Sequence, residues 1–206
     1  MEVREKEQKE LLVSDLRRAN VPEKFWYATL SCVPKDLKYM NKVLSYYAKM
    51  DEMIDKGVGL YLYSKENQTG KTSISVALLK RAIRLRRTAF FDEAGRLKNA
   101  LMKSAEFDET FMVEKRVQMV DLLVIDDLGK EYRTSSGYAE NTFENIIRSR
   151  IQSVRPTIIT TNLAPKEIGA TYSQSLSAML KGSLIPIDIS GYNWSIQQEK
   201  ELKKLL

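Results

Sequence analysis

The chain has 206 residues, of which 43% are hydrophobic and 29% are charged, and its formal net charge is +6. This length and balance are typical of one folded domain and exclude a disordered, collagen-like or disulfide-scaffold protein. A single cysteine, Cys32, and the lack of histidine exclude zinc clusters, intrachain disulfides and histidine-based catalysis. Any chemistry must therefore use carboxylates, lysine, threonine and backbone groups.

Neither a membrane span nor a secretory signal is predicted. Apolar runs such as residues 122–125 are only a few residues long, whereas a bilayer span needs about 20. The opening residues, MEVREKEQKE, are too charged for the apolar segment of a secretory signal. We therefore expect a cytoplasmic protein.

The first part of the chain is predicted to be helical. Residues 3–19 are rich in glutamate, lysine and arginine with leucines on one side, which predicts a surface helix with a narrow apolar stripe. The spacing of aromatic and aliphatic residues over 23–56 predicts helices that pack on a core. We expect a helical extension over residues 1–20 and the main domain over residues 21–206.

From residue 60 onward, short β-rich runs alternate with longer amphipathic segments. The predicted strands are residues 60–63, 88–91, 122–126, 157–161 and 185–189. The predicted helices are residues 72–87, 93–104, 138–153 and 165–181. This alternation predicts an α/β domain with a parallel sheet covered by helices on both faces. Such sheets bind ligands beyond the carboxyl ends of their strands.

A candidate phosphate-binding loop follows the first of these strands. Residues 64–73 read SKENQTGKTS and end in the GKT of a P-loop. A loop between a strand and a helix amino terminus directs backbone N–H groups and the positive end of the helix dipole at an anion. The expected ATP-binding residues are Gln68, Thr69, Gly70, Lys71, Thr72 and Ser73. Lys71 would reach the β and γ phosphates, and the Thr72 hydroxyl would bind Mg²⁺.

This loop is irregular. A full P-loop has a first glycine at the position of Lys65, and Gln68 stands where glycine is frequent. A non-glycine residue at positive φ costs about 1–2 kcal/mol. The GKT sequence alone is therefore weak support for a nucleotide site.

Two later strands supply the rest of the predicted site. Residues 121–129 read DLLVIDDLG, a buried run that ends in two carboxylates. Asp126 is expected to hold Mg²⁺, and Asp127 to polarise the attacking water. Asn162 ends the run RPTIITTN and is suited to orienting that water. The alternative is that the aspartates cap a turn and Asn162 begins a loop, but three such groups in this order favour an ATP site.

Several stretches together resemble the DnaC and DnaI group of AAA+ bacterial helicase loaders, including their phage relatives. The similarity covers residues 19–195 and is carried by ANVPEKFW, GLYLY, GKT, LLVIDDLG, FENIIRSR, PTIITTNL and ISGYNWS. It implies a P-loop AAA+ core with five parallel strands in the order 5-1-4-3-2 and ATP between neighbouring subunits. It also implies self-assembly and, as partners, a hexameric replicative helicase and single-stranded DNA. Transposition ATPases of the IstB type share this core.

The chain departs from the group in its arginines. Where loaders supply an arginine finger to a neighbour's ATP, this chain has Ala178, and a later arginine of the group falls on Ser195. A missing finger commonly lowers turnover by about 10³–10⁵-fold. We therefore expect slow intrinsic hydrolysis unless Lys181, Arg148, Arg150 or a partner residue takes its place.

A second departure is the short amino-terminal part. Loaders usually carry a separate helicase-binding region ahead of the core, whereas only about twenty residues precede Pro22 here. The helix predicted over residues 3–18 is therefore either a minimal docking element or a helix that packs only against its own domain.

The positive charge is concentrated between residues 80 and 103. This window has eight basic residues (Lys80, Arg81, Arg84, Arg86, Arg87, Arg96, Lys98 and Lys103) against two acidic ones. A solvated helix face is one interpretation, and the resemblance to loaders favours DNA contact. Contacts of this kind bind phosphates without reading bases.

Two aromatic residues and one carboxylate have alternative roles. Phe25 and Trp26 stand where related proteins often line the adenine pocket, although core packing is the alternative. Asp188, in the last strand, is expected to be structural.

Three functions remain open from the sequence. The leading one is an ATP-dependent helicase loader. The others are a non-hydrolysing nucleotide-dependent adaptor and an IstB-like ATPase that assists a transposase on duplex DNA.

Overall fold

A five-stranded parallel sheet forms the centre of the protein. The structure is a computed structural model that describes residues 12–102, 107–129 and 138–194. The strands are β1 (Gly59–Tyr63), β2 (Ala89–Glu93), β3 (Leu122–Leu128), β4 (Thr157–Thr161) and β5 (Leu184–Asp188). Their order is β2-β3-β4-β1-β5, and every neighbouring pair is parallel. The predicted order 5-1-4-3-2 is confirmed.

Helices cover both faces of this sheet. The first, α1, contains residues 12–18. The others are α2 (Met40–Ala48), α3 (Met50–Asp55), α4 (Lys71–Arg84), α5 (Ala94–Met102), α6 (Phe107–Met119), α7 (Tyr138–Gln152), α8 (Ile168–Thr171) and α9 (Gln174–Ser183). Two short 3₁₀ turns, Glu23–Phe25 and Leu30–Cys32, precede α2. The α/β class with helices on both faces is confirmed.

Alternate side chains of the strands enter two separate cores. Leu60 and Leu62 lie in the core shared with α2, α3 and α4, whereas Tyr61 lies in the opposite core beside the α9 residue Leu180. This follows from the two-residue period of a strand. All five residues of β4 are buried, as expected for a strand in the interior of a parallel sheet.

Two helical predictions need correction. Helix α6 was not predicted, and the helix predicted over residues 165–181 is divided into α8 and α9. The division occurs at Ser173, whose hydroxyl oxygen accepts the backbone N–H of Leu176 at 2.9 Å and caps α9. A serine that satisfies a first-turn N–H favours a new helix start over continuation of the previous helix.

The chain before β1 packs against the sheet. Leu16 is 1% exposed and belongs to the first core. The Phe91 N–H donates to the Ala19 carbonyl at 2.8 Å, and the Asn20 side-chain amide donates to the Phe91 carbonyl at 2.9 Å. These contacts attach α1 to edge strand β2. The domain boundary at residue 20 stays a prediction.

A bulge in β3 shapes the edge where ligands are expected. The register with β4 shifts between Ile125 and Leu128, and Asp127 has a φ of 58°. A bulge redirects the side chains around it.

Across the three described ranges, no helix combines the length and apolar character that crossing a membrane requires.

Candidate nucleotide site

The carboxyl ends of β1, β3 and β4 meet at one cleft of about 850 Å³. The cleft is lined by Lys24, Phe25, Asn67, Gln68, Thr69, Gly70, Lys71, Thr72, Ser73, Asp127, Asn162 and Trp194. All six residues predicted for the phosphate loop are among them, as are Asp127 and Asn162. Three separate stretches of chain therefore converge at the predicted edge of the sheet.

The phosphate loop ends at the amino terminus of α4. Gly70 precedes the helix with a φ of 89°, and Gln68 has a φ of 57°. The expected positive φ at Gln68 is thus present, with its conformational cost. The Gln68 carbonyl accepts the backbone N–H of Trp194 at 2.9 Å, and this contact helps to hold the strained residue.

Lys71 lies inside the loop. Its side chain is buried, and its ammonium group donates to the Glu66 carbonyl at 3.0 Å and lies 3.4 Å from the Thr69 hydroxyl oxygen. A buried ammonium is poorly hydrated, which strengthens its attraction for an anion in the same cleft. The loop therefore places one cation at the base of the cleft.

Lys65, which replaces the first glycine of a regular P-loop, points away from the cleft lining. Its exposed ammonium group forms an ion pair with Glu167 at 3.4 Å. Exposed pairs contribute little to stability. The substitution of this glycine therefore leaves the cleft open.

Thr72 and Asp126 are in direct contact. The Thr72 hydroxyl lies 3.0 Å from both carboxylate oxygens of Asp126, and the Thr160 hydroxyl donates to one of them. Burial raises the pKa of Asp126 to about 6, against the hydrogen bond from Thr160, and the nearby charge of Asp127 acts in the same direction as burial. A bound cation would favour the ionised carboxylate.

The oxygens of Thr72 and Asp126 fit Mg²⁺. Mg²⁺ prefers oxygen ligands and usually takes most of them from water and phosphate. Within the described part of the chain, no group of three histidine, cysteine or acidic side chains is gathered as a metal site. A pair of protein oxygens beside a phosphate loop is therefore consistent with a metal that arrives with its nucleotide.

Asp127 and Asn162 face the same cleft. The Asp127 backbone N–H donates to the Thr160 hydroxyl at 2.9 Å. The Asn162 amide donates to the Asn67 side-chain oxygen at 3.0 Å, which joins the end of β4 to the phosphate loop. The other amide atom, Asn162 Oδ1, is buried with no hydrogen-bond partner among the described residues. It is available to accept a hydrogen bond from a ligand or water in the cleft.

Thr160 is a positioning residue that the sequence analysis missed. Its hydroxyl donates to Asp126 and accepts the backbone N–H of Asp127, so one atom orients both acidic positions. The available signal was the presence of threonines in a strand whose residues are all buried. Such a hydroxyl requires a partner.

We expect Thr160→Val to weaken Mg²⁺-dependent ATP binding by about tenfold and to destabilise the fold by about 1–3 kcal/mol. Valine keeps the volume but leaves the Asp127 N–H unpaired, and the pKa of Asp126 rises further because the Thr160 hydrogen bond lowers it. Calorimetric titration with ATP, with and without Mg²⁺, measures the effect. Thr161→Val is the control, because Thr161 is also buried and donates to the Leu128 carbonyl at 2.6 Å. Equal losses in both variants would contradict a specific role.

Arg150 cannot serve as the substitute arginine finger that the sequence suggested. Its side chain is 0% exposed and its guanidinium donates to backbone carbonyls, including those of Val117 at 2.7 Å and Pro156 at 2.7 Å. Arg148 is exposed and pairs with Glu144 at 2.9 Å. The other two residues considered as substitutes for an arginine finger, Arg148 and Lys181, are exposed and therefore remain candidates.

Several side chains of the basic window are buried or paired with carboxylates. Lys80 is buried and donates to the Trp26 carbonyl at 2.6 Å, and Lys98 is also buried. Arg87 pairs with Asp51 and Asp55, and Arg96 pairs with Asp92. Lys103 lies outside the described residues. The window is therefore not a continuous basic face. Its exposed arginines are Arg84, Arg86 and Arg96, and Arg96 is paired with Asp92.

The two aromatic residues considered for adenine contact lie in different places. Phe25 lines the cleft. The Trp26 indole instead donates to the Val21 carbonyl at 2.8 Å and packs at the margin of the first core. Asp188 accepts a hydrogen bond from the Ser190 hydroxyl, which is consistent with a structural role.

The fold is shared with proteins of bacterial replication. A DnaI structure is 19% identical with a TM-score of 0.73 and covers 82% of this chain and 95% of that one. The DnaC helicase loader is 20% identical with a TM-score of 0.67 and covers 82% and 100%. The replication initiator DnaA bound to AMPPCP and single-stranded DNA is 17% identical with a TM-score of 0.67 and covers 87% and 56%.

A family match covers most of the chain. No curated protein matches it in sequence. The family described as IstB-like ATP binding protein matches residues 35–187, which include the phosphate loop, both aspartates and Asn162. The chain belongs to the IstB-like family of ATP-binding proteins.

Proposed function

We propose that this protein is an ATP-binding helicase loader that engages a hexameric replicative helicase and assists its placement on single-stranded DNA, with slow intrinsic hydrolysis. The observation that carries the proposal is the convergence of Lys71, Thr72, Asp126 and Asn162 at one edge of the sheet. The similarity of the fold to the DnaC helicase loader supports the choice of partner.

Each site residue has a distinct proposed task. The N–H groups of the phosphate loop and Lys71 bind the phosphates. Thr72 and Asp126 would hold Mg²⁺, which would supply positive charge against the phosphates. Asp127 accepts a proton from, or polarises, the attacking water. Asn162 orients that water through Oδ1, and Phe25 packs against adenine.

The exposed face of α9 supports slow turnover. Ala178 is exposed there between buried Ser177 and half-buried Met179. An arginine at this position would extend from the surface toward a neighbouring subunit, whereas a methyl group stabilises no phosphoryl charge. ATP is therefore proposed to control assembly more than to be consumed.

Of the basic residues in the predicted window, the proposed DNA surface shares only Arg86 and Arg87. A second cleft, of about 340 Å³, lies near the amino-terminal end of β2, whereas the nucleotide site lies at the carboxyl ends of the strands. Its lining includes Arg18, Arg86, Arg87 and Arg116. Asp15 is the acidic residue in the lining. Arg18 pairs with Asp15 at 3.3 Å, and Arg87 pairs with Asp51 and Asp55. Even with these pairs, four guanidinium groups at one cleft suit a phosphate backbone.

The test combines the purified chain with the replicative helicase of its host. We expect ATP to promote a complex, measured by light scattering after gel filtration, and to increase helicase loading on circular single-stranded DNA. Asp127→Asn should keep ATP affinity within about twofold and remove the residual turnover, because the carboxylate acts on water and not on the bound nucleotide. Absence of any helicase complex, or brisk turnover by the protein alone, would contradict the proposal.

The family match favours one alternative. IstB-like membership supports an ATPase that assists a transposase on duplex DNA. Competition between single-stranded and duplex DNA of the same sequence separates the two functions. A strong preference for duplex, with no helicase complex, would select the transposition role.

A further inference from the structure

The segment after β5 crosses the phosphate loop and ends on it with Trp194. Residues 189–194, which we call the strap, begin with the Ile189 N–H donating to the Tyr63 carbonyl at 2.7 Å. The Trp194 N–H donates to the Gln68 carbonyl at 2.9 Å. The strap is thus attached at both ends to chain that leads into or forms the loop.

The Trp194 indole lies directly over the glycine of GKT. A Cβ atom at Gly70 would stand 2.4 Å from the indole nitrogen, which is closer than such atoms approach. Gly70 therefore has two reasons to lack a side chain, its positive φ and this close approach. The ring is also fixed by an edge contact with Tyr192, at 5.1 Å between centroids and 82° between planes.

The indole N–H of Trp194 is a buried donor that the described part of the chain leaves unpaired. Its nitrogen is buried and finds no acceptor among the residues that the structure describes. A buried donor without an acceptor costs about 1–3 kcal/mol. By contrast, the other tryptophan, Trp26, uses its N–H within the fold, toward the Val21 carbonyl at 2.8 Å.

We propose that Trp194 is a nucleotide-contacting residue that donates its indole N–H to an oxygen or nitrogen of the bound nucleotide and so couples occupancy of the phosphate loop to the strap. This inference rests on the proposed nucleotide site. The cleft around Trp194 also contains the loop N–H groups and Lys71, all of them donors. An acceptor-rich nucleotide is the ligand that matches this set, and it supplies the acceptor that the indole lacks.

The two tryptophans make the test direct. Trp26→Phe leaves Trp194 as the single tryptophan of the chain. Its emission should change saturably with MgATP and with ADP, with a midpoint equal to the dissociation constant from calorimetry. Lys71→Ala in this background should remove both the emission change and the heat of binding.

The Trp194→Phe variant tests the hydrogen bond itself. Phenylalanine keeps a ring over Gly70 but has no N–H, so ATP affinity should fall about tenfold. Trp26→Phe is the matched control and should bind ATP within about twofold of the unchanged protein. Thermal melting without nucleotide checks that both variants fold.

The outcomes separate this inference from the function on which it rests. If calorimetry shows ATP binding while Trp194 emission stays constant and Trp194→Phe binds as tightly as the control, the contact is wrong and the nucleotide site stands. If the unchanged protein binds no ATP, both are wrong.

Discussion

Lys71→Ala should reduce ATP affinity by at least about 100-fold. A lysine that contacts two phosphates forms charge-assisted hydrogen bonds worth about 1.5–3 kcal/mol each, and alanine replaces none of them. The structure places this ammonium group in the loop itself, 3.0 Å from the Glu66 carbonyl. Calorimetric titration with MgATP measures the loss.

The control for this variant is Lys65→Ala. Lys65 lies between β1 and α4, and Lys71 is the first residue of α4. The two lysines carry the same charge, but Lys65 is exposed and pairs with Glu167 at 3.4 Å. Its removal should change ATP affinity by less than about threefold, since exposed pairs are weak. Similar losses in the two variants would mean that the loop attracts ATP only by general charge, and would contradict a specific phosphate site.

The parallel sheet and the edge that carries the site were predictable from the sequence pattern, and the order of the strands from the resemblance to helicase loaders. Buried β-rich runs recur at regular intervals, and their carboxyl ends bear Asp126 and Asn162. Because parallel strands end at one edge, sequence position alone placed these groups together. The core strand β4 was predicted with its observed bounds, Thr157–Thr161.

Other features depend on contacts between distant residues. The bond from Thr160 to Asp126 joins two strands, and nothing in the sequence near Thr160 indicates its partner. The approach of Trp194 to Gly70 likewise depends on where the strap crosses the loop. The ion pairs of Arg87 were missed for the same reason, because the carboxylates that pair with it come from α3.

Arg150 shows how charge alone misleads. The sequence offered it as a substitute arginine finger, yet it is fully buried at the end of α7. Burial lowers the pKa of Arg150 to about 9, so the guanidinium remains charged at neutral pH. It compensates for lost hydration by binding the Thr157 hydroxyl at 3.0 Å and several backbone carbonyls. These carbonyls belong to the chain before β3 and before β4.

Arg150→Met should therefore destabilise the fold by about 3–5 kcal/mol, a large part of the stability of an ordinary domain. Methionine fills the volume but leaves the carbonyls of Val117, Val120 and Pro156 without their donor. Urea unfolding followed by circular dichroism measures the change, with Arg148→Met, an exposed arginine on the same helix, as the control expected to lose less than about 1 kcal/mol. If Arg150→Met unfolds at the same urea concentration as the control, the guanidinium is not a structural link between these strands. A fully stable Arg150→Met that has lost turnover would instead restore Arg150 as a functional arginine.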